Sequence, residues 1–291
     1  MTVAAVPQPI DRGTAQRRGR GLLRSPLIGL CFAVIAIVIV LAVIGTKLAP
    51  QNPNQQHLSA IGAGPSSAHW FGTDALGRDV LSRVIAGART AFFAPLVIAV
   101  VSFLGGNCLG LLAGFRGGRI DATIMRWVDV MWSVPTLLVL IVLAGTTGSN
   151  YWLSVGVLAL LTIPFDTRVV RGAVLEQAPR PYVEAAQTLG VSRRRIMFRH
   201  IWPNVAPIAV ANTFLVYASS LVLLASLSFL GLGVPPGKAD WGLMLSDNES
   251  LIFTSPVATI APGVMIVLTA AAMNLVGDWI QERLADRGGA R

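Results

Sequence analysis

The sequence predicts an all-α integral membrane protein with six transmembrane helices, and three observations predict it. Hydrophobic residues make up 54% of the 291 positions and charged residues only 13%, with a mean hydropathy of +0.65, far from the balance of a soluble domain. The apolar residues gather in runs long enough to cross the roughly 30 Å hydrocarbon layer. The basic residues behind the net charge of +9 fall in short blocks between those runs, as topology signals do. That distribution argues against a nucleic-acid partner. Arginine outnumbers lysine 21 to 2, the bias of a GC-rich bacterial genome. Cys31 and Cys108 both lie within apolar runs, so they read as small membrane-buried residues rather than as a disulfide framework.

Residues 1–24 set Arg12, Arg17, Arg18, Arg20 and Arg24 against Asp11 and hold no apolar core, the pattern of a disordered cytoplasmic tail. Residues 25–49 carry the first transmembrane helix, nearly unbroken Leu, Ile, Val and Ala from Pro26 to Thr46. It is too long for a signal peptide and lacks a small-residue cleavage site before Lys47. Residues 50–89 are a polar extracytoplasmic excursion. Within it Asp74 or Thr73 is placed to cap a helix whose Leu76, Val80, Leu81, Val84 and Ile85 share a face. Asp74 with Arg78, and Asp79 with Arg83, are spaced as i,i+4 pairs. The expectation is an amphipathic helix on the outer surface, either a structural interfacial helix or a docking element.

Further spans follow at approximately 90–114, 123–145, 151–169, 205–227 and 254–277, within a transmembrane domain over residues 90–282 that leaves 283–291 as a cytoplasmic tail. Gly106, Gly110 and Gly114 recur every four residues, a spacing that lets membrane helices approach closely. Pro95, Pro135, Pro164, Pro207, Pro256 and Pro262 sit in or at the ends of spans, where neighbouring helices can satisfy the freed carbonyls. Asp129 and Asn212 are polar groups that should avoid lipid. Each faces protein or a water-filled path, and for Asp129 a cavity role and a structural hydrogen bond stay open. With six crossings, the N-terminus, the 115–126 turn, the 166–204 loop and the C-terminus fall on one side and hold 18 of the 23 basic residues. The remaining five are Lys47, Arg78, Arg83, Arg89 and Lys238. Both termini are therefore expected in the cytoplasm.

The 180–204 segment is a polar island in this apolar chain. Glu184 to Leu189 is good helix-forming sequence, and Gly190 supplies the left-handed residue that commonly ends a helix. Ser192 then caps a second helix from Arg193 to His200, and Pro203 forbids easy continuation beyond Trp202. Arg193, Arg194 and Arg195 oppose that second helix's dipole, so local stability does not explain them. Between the last two spans, Ser228, Phe229, Gly231, Gly233 and two prolines precede Asp240 and Trp241. This composition precludes a regular helix throughout and predicts an irregular external or re-entrant loop covered by protein.

The pattern Glu184-Ala185-Ala186, three residues, Gly190, nine residues, then His200-Ile201-Trp202-Pro203-Asn204 closely resembles the EAA loop of bacterial ABC-importer permeases. The stretch around Asp74, Arg78, Asp79 and Arg83, the 227–242 loop, and Asn274-Leu275-Val276-Gly277-Asp278 are similar to the dipeptide and oligopeptide C-subunit family. The likeness spans roughly 68–286. One departure is Leu224, where relatives often carry glutamate, so a charge-based gate there is not carried over. The resemblance implies a type I ABC-importer (MetI-like) permease fold in the bacterial cytoplasmic (inner) membrane. It also implies that the 180–204 loop couples to a separate ATPase.

The partners it implies are a homologous B-type permease subunit, two ATP-binding subunits, an extracytoplasmic peptide-binding protein and membrane lipid, with no nucleic acid. It implies that this chain is not an enzyme and binds no cofactor or metal, ATP and Mg belonging to the partner ATPases. The residues agree, since no GxxxxGK[ST] loop exists and the Gly231 to Lys238-Ala239 stretch has wrong spacing and no hydroxyl. Neither HExxH nor GxSxG occurs, which argues against an intramembrane hydrolase. An ion-coupled secondary transporter would need clear intramembrane carboxylates and usually an internal repeat. The same C-subunit family also serves nickel chelates and other small solutes, so the resemblance implies peptides without fixing the cargo.

Overall fold

The computed structural model describes residues 26–148 and 150–289, with side chains through residue 284. The expected N-terminal tail, residues 1–24, lies outside the described residues. Among those described there is no β-strand, only one isolated bridge between Thr73 and Asp79. The helices are α1 (Pro26–Leu48), α2 (Val80–Arg116), α3 (Gly118–Trp132), α4 (Thr136–Thr147), α5 (Tyr151–Gln177), α6 (Pro181–Thr188), α7 (Arg193–Phe229), α8 (Trp241–Asp247) and α9 (Pro256–Gly289). Five of them, α1, α2, α5, α7 and α9, are long and apolar enough to cross a membrane, and α3 with α4 makes a sixth span bent by 68°. The protein is an all-α, multi-pass membrane protein.

Three elements differ from the sequence expectation. The third span is not a straight helix over 123–145: Pro135 has no N–H to give the preceding turn, and the chain breaks at Ser133–Pro135. The last helix runs to Gly289, into the stretch expected as a tail, with residues 290–291 outside the description. No separate amphipathic helix lies on the outer surface, because Gly77 sits at φ +72° in a tight turn where Asp74 N–H donates to Arg78 O and Gly77 N–H to Asp74 O. A Cβ on Gly77 would stand 2.2 Å from His57 O. The helix starts at Val80 instead and runs straight into the second span, with Asp79 rather than Asp74 or Thr73 as its cap, accepting from Ser82 N–H at 2.8 Å.

The small-residue stripe does what its spacing predicts. A Cβ on Gly106 would fall 2.2 Å from Asp166 Cβ, one on Gly110 2.7 Å from Val170 Cβ, and one on Gly114 2.8 Å from Val174 Cβ. Helix α2 therefore lies backbone-close along α5, and dispersion contacts, rather than water expulsion, favour that approach inside lipid. The central core joins α2, α4, α5 and α7 through Ile98, Leu140, Leu158, Val216 and Leu227. A second cluster, at the start of α2 and around α8, gathers Val80, Val84, Trp241, Met244 and Ile266. Cys31 is buried against Ala272 and Val276 of α9, whereas Cys108 is exposed on the chain's surface, and both are free thiols.

Candidate functional sites: an elbow and a cap

The 181–204 segment folds as two helical pieces meeting at Gly190. Gly190 takes φ +72°, its N–H donates to Gln187 O at 2.9 Å, and Val191 N–H reaches back to Ala186 O at 3.1 Å. This crossed pair closes a helix on a left-handed residue and satisfies its last carbonyls. Ser192 occupies the next cap with extended backbone but without a side-chain hydrogen bond, its carbonyl accepting from Ile196 N–H at 3.0 Å.

Pro203 does not end the second helix. Residues Ile196–Ile201 form a wide π turn in which Trp202 N–H bonds Met197 O, and α7 continues through the proline to Phe229. The wider turn relaxes the spacing at which a regular helix would meet the ring and miss its N–H. The elbow is consequently rigidly tied to the fifth span.

One face of the elbow is sealed. Val183, Ala186, Ile196 and Ile201 pack with Leu111 of α2 and with Val170 and Val174 of α5. The other face carries Glu184, Ala185, Ser192, Arg193, Arg194 and Arg195, all exposed, with His200 half-buried. Sequence reasoning missed two members of that face, Leu189 at 82% exposure and Phe198 at 59%. Large apolar side chains projecting from an otherwise basic loop were the signal available. The elbow's outer face is thus basic with two apolar prominences, and it lies at one end of the bundle.

A cap covers the opposite end. The sequence places Asp74, Arg78, Asp79 and Arg83 on an exposed helix face, yet their exposures are 0%, 2%, 3% and 0%. Asp74 Oδ1 accepts from the N–H groups of Leu76 and Arg78 at 2.9 and 2.8 Å, and its Oδ2 from Arg78 Nε at 2.6 Å. Asp79 makes no ion pair with Arg83 and instead lies 3.0 Å from His69 Nδ1. The Arg83 guanidinium donates to the carbonyls of Pro53, Gly237 and Lys238 at 3.1–3.3 Å, joining two loops more than 150 residues apart.

The 227–242 loop completes the cap. Helix α7 ends at Gly231, φ +74°, with the same crossed pair of bonds seen at Gly190: Gly231 N–H to Ser228 O and Leu232 N–H to Leu227 O. Ser228 is buried and Phe229 is exposed. A Cβ on Gly233 would stand 2.2 Å from Ser228 Oγ. Asp240 caps α8 by accepting from the N–H groups of Gly242 and Leu243, and burial raises its carboxyl above the usual carboxylate range despite those bonds. Trp241, 1% exposed, lies over Gly87 and donates from Nε1 to Val84 O at 2.8 Å.

Asp129 pairs with Arg168 on the surface of the chain, the carboxylate 60% and the guanidinium side chain 39% exposed, and that guanidinium stacks 4.3 Å over the Trp132 ring. Other polar groups meet inside the bundle. Asn212 donates to Asp166, and Ser102 Oγ donates to the other Asp166 oxygen at 2.5 Å. Asp166, 2% exposed, is an intramembrane carboxylate that sequence reasoning did not single out, although it falls within the expected 151–169 span. It ties α2, α5 and α7 together where the Gly106 gap admits it.

Residues 106–288 match the family described as binding-protein-dependent transport system inner membrane component. Among similar proteins, the probable D,D-dipeptide transport system permease protein DdpC of Escherichia coli (strain K12) is 35% identical over 290 residues, 100% of this chain and 97% of the relative. The glutathione transport system permease protein GsiD of Pectobacterium atrosepticum is 39% identical over 221 residues, 76% and 73% of the two chains. The oligopeptide transport system permease protein OppC of Bacillus subtilis (strain 168) is 35% identical over 251 residues, 86% and 82%.

Proposed function

The chain belongs to the binding-protein-dependent transport system inner membrane component family, and from that premise we propose that it is the C-type transmembrane subunit of an ATP-driven importer of short peptides. Relatives named for D,D-dipeptides, glutathione and oligopeptides support the cargo class. The assembly we propose holds a homologous permease, two ATPase subunits beneath and a peptide-binding protein outside. This chain contributes no catalytic group and no cofactor site to it.

The observation that carries the reading is the elbow's construction. Its buried face grips α2 and α5 and its second helix is continuous with α7, so a push on the outer face moves three spans together. The outer face supplies Glu184 and the arginines for charge-assisted bonds and Leu189 and Phe198 as anchors. In this reading closure of the ATPases on ATP displaces the elbow, and the bundle alternates between outward and inward openings. Differential contacts in two nucleotide states bias that equilibrium. The distribution of basic residues between the spans supports a cytoplasmic side for the elbow and both termini, and an external side for the 50–79 and 230–255 loops.

The test is a Ser192→Cys variant crosslinked to a cysteine in the ATPase cleft of the assembled complex. Crosslinking should form and locking it should abolish uptake. Normal import by the locked complex would remove movement at this junction from the cycle.

A further inference from the structure

Helices α7 and α9 leave a groove of about 320 Å³ between them, lined by Ala211, Asn212, Leu215, Asn274, Asp278 and Gln281. Asn274, Asp278 and Gln281 recur at i, i+4 and i+7, so one face of α9 is polar within a span. Hydrocarbon offers these groups no hydrogen-bond partner, and polar side chains in spans face protein or water. Asn274 Oδ1 is buried and finds no partner among the described residues. Among the described residues Asp278 makes no ion pair, and the next cation on α9, Arg283, is held over the Trp279 ring at 4.8 Å. Asn212 is fixed by its bond to the buried Asp166. The groove therefore presents one carboxylate, three carboxamides and no positive charge, in a volume within the range of small-molecule sites.

We infer that this groove is a transit site for the amino-terminal end of a peptide, Asp278 taking the ammonium and Asn274 with Gln281 the first amide group. The inference rests on the peptide-importer reading. An ammonium is the complement of a lone carboxylate, and a carboxamide both donates and accepts, as a peptide group requires. A basic side chain from the second permease subunit is the competing occupant.

The experiment compares uptake of dialanine and N-acetyl-dialanine by the complete complex in proteoliposomes, with wild type and Asp278→Asn. Asp278→Asn should slow dialanine about tenfold, what one hydrogen bond to a charged group is worth. It should leave the acetylated peptide at its wild-type rate, with assembly and ATP hydrolysis intact. A second measurement frees the result from the binding protein's own selectivity. Gln281→Cys, in a background carrying Cys31→Ala and Cys108→Ala, should react severalfold faster with a cationic than with an anionic methanethiosulfonate, and dialanine should slow that reaction. Equal effects of Asp278→Asn on both peptides, or loss of the second permease subunit from the complex, would overturn the groove assignment alone. A wild type inert toward both peptides would overturn the peptide-importer reading and the groove with it.

Discussion

Replacing Asp74 by alanine removes the buried carboxylate that both Arg78 and Arg83 of the cap face. Arg78 Nε then loses its acceptor at 2.6 Å and Arg83 Nε its nearest negative charge at 3.4 Å, while two backbone N–H groups lose their bonds to Oδ1. Deleting one partner of a buried pair costs about 3–5 kcal/mol because the remaining charge stays buried. Arg78 keeps Asp247 at 3.1 Å, which places the expected loss at the lower end, about 3 kcal/mol. Asp74→Asn retains an oxygen for the two N–H groups and gives up only the charge-assisted part, about 1.5–3 kcal/mol. At about 2 °C per kcal/mol for a chain of this size, Asp74→Ala should lower the unfolding midpoint by about 6 °C. Asp247→Ala, which removes a half-exposed partner, should lower it by about 2 °C at most. The assay is the fraction of intact complex surviving a heating series, read by size-exclusion chromatography. Equal shifts for Asp74→Ala and Asp247→Ala would refute the argument that buried charge pairing holds the cap.

Gly190→Ala, at φ +72° with open space around its Cβ position, should cost only about 1–2 kcal/mol of backbone strain and keep coupled transport. Gly190→Pro, which also deletes the N–H bonded to Gln187, and Glu184→Lys should each uncouple ATP hydrolysis from uptake while the bundle stays folded; unchanged uptake in both would exclude the elbow from the mechanism. Gly106→Ala should destabilise the α2–α5 seam by about 1–3 kcal/mol, since its Cβ meets Asp166 at 2.2 Å, whereas Gly172→Ala meets nothing within 4 Å and should be neutral; thermal midpoints of the two distinguish packing from a general intolerance of larger residues. Asp240 has a raised carboxyl pKa, so its contribution favours the folded state at low pH and is lost as pH rises through the folded value. Asp240→Asn should flatten the fall in stability that sets in as pH rises above the ordinary carboxylate value, and an unaltered profile would exclude Asp240 as its source.

The sequence by itself determined the features whose causes are local or compositional. Apolar runs mark the spans because the bilayer's thickness sets a length that composition reveals. Gly190 marks the elbow because the bonds that end its helix close within six residues, from Ala186 to Val191. Gly106, Gly110 and Gly114 mark a packing face, since only a missing Cβ permits the approach they make to Asp166, Val170 and Val174. Only the tertiary structure decided which polar residues are buried and whom they meet. Asp74 with Arg78, and Asp79 with Arg83, read as surface charges because their i,i+4 spacing is visible, while the Gly237 and Lys238 carbonyls that bury Arg83 lie more than 150 residues away. Asp166 does not stand out in the sequence as a buried carboxylate because Ser102 and Asn212, its partners, belong to other spans. Pro203 read as a stop because a proline excludes the regular helix, and the π turn that admits it depends on Ile196 and Ile201 being held in a cluster with α2 and α5. Burial is a property of what covers a residue, and in this chain the covering segments come from distant parts of the sequence.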